Sequence, residues 1–346
     1  MGSSQSAPHP QGKTITGIGF VKHGPALESL QKVEFPYPHG FDASSNVVIK
    51  VHASSINPVD KMLIEGGLKM LKPVAAFPHP ACYDVSGVVE IADSAGKFMV
   101  GDAVMVRLFD DEKNTPWYRG AMAEYCVARC SDTVRKPDNI SFEEAASIPL
   151  AGMTALQAFQ KAGLKQGDKV FITGGAGGVG TLAIQLAKHV FKAGLVVTTA
   201  SAGAKEQLCK DLGADVVVDY RTAKFEEVYG TADAEKFDVC FDTTHESVKL
   251  AKVVKKGGTI YSIADSPTLE GLQAIGASNP LLCLFVTKTV KHPSYLAAVE
   301  AGADWTYLFL GPSQADLQLL ADKLKDGTVK PVLDNVWDFK NDEATG

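Results

Sequence analysis

From Thr14 to Asn139, apolar residues come in short runs that alternate with polar ones and are broken by Pro and Gly at spacings of about ten residues. The runs SNVVIKVHASSIN, DVSGVVEIAD, GDAVMVRLF and GAMAEYCVAR predict strands with one buried face. Together they predict a compact, mainly β domain over residues 14–140. After Ser141 the pattern changes. SFEEAASIPLAGMTALQAFQKAG has helical apolar spacing behind Ser141 and Glu144, an N-cap and its capping-box partner. Near-continuous apolar runs follow: KVFITG, GLVVTTA, DVVVDY, FDVCFDT and GTIYSIA, as expected of strands buried on both faces. They alternate with GVGTLAIQLAKHVF, AKEQLCKDLG and ESVKLAKVVKKGG, which carry helical periodicity. This is βαβ alternation, so residues 141–310 predict an α/β fold with a doubly wound parallel sheet. Within 311–346, the helix QADLQLLADKLKDG leads to VKPVLDNVWDF, read as a strand that rejoins the first domain. Residues 1–13 are polar and read as a disordered tail.

The stretch GGAGGVG, Gly174 to Gly180, places five glycines in seven positions between a predicted strand and a predicted helix. Within it, Gly175, Gly177 and Gly180 form the G-x-G-x-x-G spacing of a dinucleotide-binding turn. In that motif the first glycine permits the tight turn, the second lets backbone approach a pyrophosphate, and the third lets helix pack on strand. N–H groups at the helix start, around Gly178 and Val179, then face the phosphates. An NAD site places Asp or Glu about 20 residues further on, at the ribose 2′-hydroxyl. Here that place reads TTASAGAKEQ, with no acid. Ser201 can donate to a 2′-phosphate and Lys205 can supply charge, while Tyr220 can close over the same group; a solvated helix lysine is the plain alternative for Lys205. The expected cofactor is NADPH.

Composition narrows the classes. Hydrophobic content of 45% and 21% charged residues are those of a soluble globular protein of 346 residues. Net charge is −6 with acids and bases interspersed, which argues against nucleic acid as a partner. No apolar run near a terminus approaches the roughly 18 residues of a membrane span. The expected compartment is the cytoplasm. Six cysteines, none in a C-x-x-C pair, read as free thiols; Cys126 and Cys130 read as buried apolar residues rather than metal ligands.

INPVD (Ile56 to Asp60), YDVSGVV (Tyr83 to Val89), GDAV, GAMAEY, IPLAGMTALQA and GGAGGVG occur in order over most of the chain. In these the sequence resembles the medium-chain dehydrogenases/reductases, specifically the zinc-free quinone oxidoreductase and enone reductase branch. The resemblance implies a GroES-like, mainly β catalytic domain beside the Rossmann sheet. Zinc-dependent relatives carry Cys, a His-Glu pair and Cys where this chain has Asn57, Tyr83-Asp84 and Leu150, so no metal is expected. Without a Lewis acid, hydride acceptors that spread charge by conjugation fit best: quinones and α,β-unsaturated carbonyls.

By the same resemblance, Asn57 lies beside the nicotinamide and reacting carbon, and Thr154 contacts the nicotinamide side. Asp60 orients the Asn57 loop or simply caps it. Tyr83 is either a proton donor or a packed aromatic; Met62 stands where some relatives have a tyrosine, so solvent is another proton source. Thr243, Ile263 and Ala264 follow predicted strands and are expected cofactor contacts. His245 invites an acid–base role, with a surface cap as its plainer reading. NPLLCLFVTKTV is apolar enough to line a substrate cleft or a dimer face, and YLFLG is expected to add the edge strand of a homodimer. Relatives continue past VLDNVWDF with a helix and a final strand, so the ending KNDEATG implies a shortened chain with an uncovered edge in the first domain. The rival readings are an enoyl reductase acting in trans on a polyketide or fatty-acid pathway, and a catalytically silent NADPH-binding protein of crystallin-like or RNA-binding type.

Overall fold

The computed structural model describes residues 12–69, 74, 76–109, 120–232, 235–265 and 292–338. Two compact units result: residues 1–150, 312–327 and 331–346 form unit 1, and residues 151–311 with 328–330 form unit 2. NPLLCLFVTKTV and the final KNDEATG lie outside the described residues.

Unit 1 begins with strand β1 (Thr14–Phe20), the short helix α1 (Ala26–Ser29) and β2 (Leu30–Pro36). Then come β3 (Asn46–Ser55), helix α2 (Pro58–Ile64), β4 (His79–Pro80), β5 (Asp84–Ile91), β6 (Ala103–Arg107), β7 (Tyr125–Arg129) and β8 (Thr133–Arg135). They make a three-stranded sheet, β2-β1-β4, and a five-stranded antiparallel sheet, β7-β3-β5-β6-β8. Alternation puts Val47, Ile49, Val85, Val104, Val106 and Cys126 in one core. This is the GroES-like half expected from the motifs.

The helical stretch after Ser141 is two helices, not one: α3 (Phe142–Ala146) and α4 (Pro149–Ala162). Ser141 and Glu144 cap α3 reciprocally as expected. Pro149 has no N–H to continue that helix, and it starts a new one at the position where proline is tolerated.

Unit 2 continues with β9 (Lys169–Ile172), α5 (Gly178–Gln185, running on as a π-turn to Val190), β10 (Leu195–Ala200) and α6 (Ala204–Asp211). It proceeds through β11 (Val216–Asp219), α7 (Phe225–Val228), β12 (Phe237–Asp242) and α8 (Ser247–Val253). The described part ends with β13 (Val254–Ser262), α9 (Pro293–Glu300) and β14 (Asp304–Tyr307). All six strands are parallel in the order β11-β10-β9-β12-β13-β14, the doubly wound Rossmann order. Phe171, Val197, Phe237, Cys240 and Ile260 fill its core with no polar alternation, as strands covered on both faces require.

Helix α10 (Gln314–Lys325), capped by Ser313, belongs to unit 1. Three expectations change. VKPVLDNVWDF forms no strand over its described residues: Pro331 lacks an N–H for a ladder, and Leu333, Val336 and Trp337 are exposed instead of packed. The edge strand is DWTY, Asp304–Tyr307, and only the first residue of YLFLG belongs to it. The helix expected over ESVKLAKVVKKGG stops at Val253, and VKKGG opens β13.

Candidate functional site

In unit 1 the chemistry gathers where β3, β5 and β6 meet the first turns of α2 and α4. Asn57 is the N-cap of α2, which Pro58 starts. Its N–H donates to Asp60 Oδ2 at 2.7 Å, and the Asp60 N–H returns to the Asn57 carbonyl at 3.0 Å. Asp60 is buried, and its Oδ1 has no hydrogen-bond partner. Burial, with the nearby Asp84 carboxylate adding repulsion, pushes its pKa up to about 7.

Asp84, at the start of β5, is fully buried and collects donors. Asn57 Nδ2 donates at 2.9 Å, Ser55 Oγ at 3.1 Å, and the Leu150 N–H at 3.1 and 3.3 Å to its two oxygens. Leu150 lies in the first turn of α4, so Asp84 serves as an anion at that helix terminus. The Arg107 guanidinium, from β6, sits with Nε 4.0 Å from Asp84 Oδ1 and its carbon 4.7 Å over the Tyr83 ring. Desolvation raises the Asp84 pKa to about 6, against the lowering effect of Arg107 and the Asn57 and Ser55 bonds. Tyr83 is buried and packed under that guanidinium.

A metal can be tested against this arrangement. The three places that hold ligands in zinc-dependent relatives carry an amide, a phenol and an isobutyl group. The carboxylate beside them is already bound by protein donors and a guanidinium. These residues do not fit a zinc ion. No group of three metal-ligating side chains occurs among the described residues.

In unit 2 the glycine turn takes shape between β9 and α5. The left-handed residue that makes the turn is Gly174, at φ 65°, rather than Gly175. Gly175 is glycine for another reason: a Cβ there would sit 2.2 Å from Thr198 Oγ1 on β10. At Gly180 a Cβ would come within 2.2 Å of the Gly174 carbonyl oxygen, so close helix-to-turn packing is its role, as expected. Gly178 faces open space. Among the described residues, the N–H groups of Gly178, Val179 and Gly180 receive no partner, as at any helix start. These features fit a pyrophosphate.

The register carries the rest. Ala200 of β10 pairs with Asp219 of β11, so Ser201 and Tyr220 leave neighbouring strand ends together. Ser201 is buried; Lys205, Tyr220 and Arg221 are exposed, with the Arg221 guanidinium carbon 5.9 Å over the Tyr220 ring. Arg221 was not among the expected contacts, although an arginine directly after VVVDY is visible in the sequence. No carboxylate follows β10 before α6. The donor set suits a phosphate better than a ribose hydroxyl.

At the other strand ends, Asp242 is fully buried and accepts from Ser247 Oγ at 2.6 Å and the Glu246 N–H at 3.0 Å. This braces the loop bearing Thr243, whose hydroxyl donates to the Thr173 carbonyl at 2.7 Å. Ile263 and Ala264 follow β13 and are half-buried. His245 is no helix cap. It has φ 66°, is exposed, and pairs with Asp265 at 2.6 Å. Thr154 is buried within α4.

Comparison with known proteins follows the same division. Residues 43–138 match the family described as alcohol dehydrogenase GroES-like domain. Residues 212–344 match the family described as zinc-binding dehydrogenase. A 2-methylene-furan-3-one reductase of Solanum lycopersicum is 39% identical over 67% of this chain. The chain spans 58% of that relative's length, and equally 58% of a chloroplastic NADPH-dependent alkenal/one oxidoreductase of Arabidopsis thaliana that is 37% identical. A chloroplast envelope quinone oxidoreductase homolog of Arabidopsis thaliana is 30% identical over 94% of this chain and 91% of its own. Among solved structures, a quinone oxidoreductase from Coxiella burnetii superposes with a TM-score of 0.74 at 29% identity, covering 93% of this chain and 91% of that one. The fold and these matches define a medium-chain dehydrogenase/reductase. The chain belongs to the quinone oxidoreductase branch of that superfamily.

Proposed function

We propose that the protein is an NADPH-dependent, zinc-independent reductase that transfers hydride to a quinone or an α,β-unsaturated carbonyl. The observation that carries this reading is the donor set: Asn57, Tyr83 and Leu150 stand where the resemblance puts zinc ligands, and the Asp84 carboxylate beside them is already bound to Asn57, Ser55 and the Leu150 N–H. An acceptor that delocalises its own charge needs no metal partner.

When bound, the reduced nicotinamide supplies the hydride. The chain supplies position. The N–H groups of Gly178, Val179 and Gly180 hold pyrophosphate; Ser201, Lys205, Tyr220 and Arg221 hold the 2′-phosphate; Thr154, Thr243, Ile263 and Ala264 line the nicotinamide half. Asn57 positions the reacting centre, held by Asp60 at its backbone and Asp84 at its amide. Tyr83 acts through packing on Arg107, and solvent protonates the product anion.

The reading includes a cytosolic, reducing setting, in keeping with the free thiols of Cys82, Cys126, Cys130, Cys209 and Cys240. It also includes a homodimer. No described helix is long and apolar enough to cross a membrane.

The test is a panel of quinones, enones, simple ketones and acyl thioesters, with NADPH oxidation followed by absorbance. Turnover of quinones or enones is expected before and after EDTA treatment, with no stoichiometric zinc by elemental analysis. Activity lost to EDTA and restored by zinc would refute the metal-free site. Turnover confined to acyl thioesters would favour the enoyl reductase, and binding without turnover the silent protein.

A further inference from the structure

We propose that Asp84 is a positioning residue that fixes the polarity of the Asn57 amide, so that Asn57 meets its ligand only as a hydrogen-bond acceptor and recognises a hydroxyl donor. This deepens the reading of Asn57 as the residue at the reacting centre and rests on it.

A primary amide has two N–H donors and one oxygen with two lone pairs. In this site both donors are committed inward: Asn57 Nδ2 lies 2.9 Å from Asp84 Oδ2 and 3.5 Å from Ser55 Oγ. The opposite orientation of the amide is closed. Asp84 Oδ2 also accepts from the Ser55 hydroxyl at 3.1 Å, Oδ1 accepts the Leu150 N–H at 3.1 Å, and Arg107 approaches at 4.0 Å. A carboxylate so surrounded by donors presents only lone pairs, and turning the amide would set oxygen against oxygen in a fully buried place. The Asn57 side-chain oxygen faces the N3 backbone in the capping box of α2, which engages at most one of its two lone pairs.

The consequence is chemical. An oxyanion developing on a substrate needs donors, and Asn57 has none to give. A neutral O–H is what its remaining lone pair can read. Two groups in the proposed reaction carry one: a ribose hydroxyl on the nicotinamide half of the cofactor, and the hydroxyl of a hydroquinone product. The shared chemistry is a hydroxyl donor.

The experiment is equilibrium titration of the full chain, wild type and Asp84→Asn, with three probes: NADPH, adenosine 2′,5′-bisphosphate, which lacks the nicotinamide ribose, and hydroquinone. An amide at position 84 can offer its own N–H to the Asn57 oxygen, so the polarity is no longer enforced. The expected result is a loss of about five- to ten-fold in affinity for NADPH or for hydroquinone, with adenosine bisphosphate unchanged. Loss in the NADPH arm assigns the donor to the cofactor ribose; loss in the hydroquinone arm assigns it to the product. Unchanged affinity for all three probes overturns the proposal, as does equal weakening of all three. If Asp84→Asn does not fold, Asn57→Ala is titrated with the same probes and with the dimethyl ether of hydroquinone. A loss confined to hydroxyl-bearing probes that reach the nicotinamide side or the acceptor side supports the proposal. Unchanged affinities, or equal loss for adenosine bisphosphate or the ether, overturn it. No turnover is read, so a failed acceptor panel and a failed titration remain separate results.

Discussion

Asp60 shows burial working against a charge that the site nevertheless uses. Its carboxylate takes one N–H from Asn57 and leaves its other oxygen unpaired, and burial raises its pKa from 3.8 to about 7. The folded chain therefore binds this proton more tightly than the unfolded chain does. Stability from this group is fully present below the unfolded pKa and is lost as pH rises through the folded one. Asp60→Asn keeps an oxygen for the Asn57 N–H and removes the charge. We expect it to raise the melting temperature by about 2 °C or more near pH ~8 and by less near pH ~5, where only part of the loss has set in. Lower melting at both pH values would mean that the carboxylate is a net stabiliser. Asn57→Ala is the companion test of function. Misplacement by about 1 Å can cost on the order of 10²-fold, so kcat/KM is expected to fall far more than NADPH affinity does; an unchanged kcat/KM returns Asn57 to the role of a loop amide. The sequence made Asn57, Asp60 and Tyr83 visible because they occupy or adjoin places where relatives hold a metal. Arg107 and Ser55 were not visible as site residues: each reaches Asp84 only through the pairing of β5 with β6 and β3, and pairing partners are not written in a single strand.

Among the elements, the turn from β9 into α5 gives the sharpest contrast between neighbouring positions. Gly180→Ala would drive a Cβ to within 2.2 Å of the Gly174 backbone oxygen, whereas Gly178→Ala meets nothing within 4 Å among the described residues. The first variant is expected to melt lower even without cofactor. The second should melt like the wild type but bind NADPH at least about ten-fold more weakly, because its methyl takes the space where the phosphate approaches; normal NADPH affinity in Gly178→Ala would remove this turn from the binding site. At the end of β10, NADPH is expected to bind at least about ten-fold tighter than NADH, and Lys205→Ala should weaken NADPH while leaving NADH nearly unchanged. Equal dissociation constants in the wild type would count against the 2′-phosphate reading. The βαβ alternation was legible because strands covered on both faces are near-continuous apolar runs, as with Val170, Phe171 and Ile172 in β9 and Val239, Cys240 and Phe241 in β12. VKPVLDNVWDF misled for the same reason turned around. Its apolar residues suggest a partner, but hydrophobicity alone cannot supply one, and Leu333, Val336 and Trp337 lie exposed without a ladder.

For the whole molecule, what matters is which surface of the Rossmann sheet remains open. Among the described residues, β14 pairs with β13 on one side and ends the sheet on the other, so its outer N–H and C=O groups form an edge there. Beside it, α9 packs on the strand through Ala298 and exposes Tyr295, Leu296 and Val299. Apolar side chains next to an open edge are the combination that a second copy satisfies when two β14 strands meet across a two-fold axis. The net charge of −6 on 346 residues is too small to oppose such pairing strongly. We therefore expect light scattering to give twice the chain mass at micromolar concentration. The double substitution Leu296→Glu with Val299→Glu should give the single-chain mass, because each two-fold contact would then set like charges against each other. Both side chains are exposed, so the isolated unit should keep its NADPH affinity. A double variant that still scatters as a dimer would move the interface elsewhere, and a wild type that is monomeric at every concentration would remove the dimer altogether.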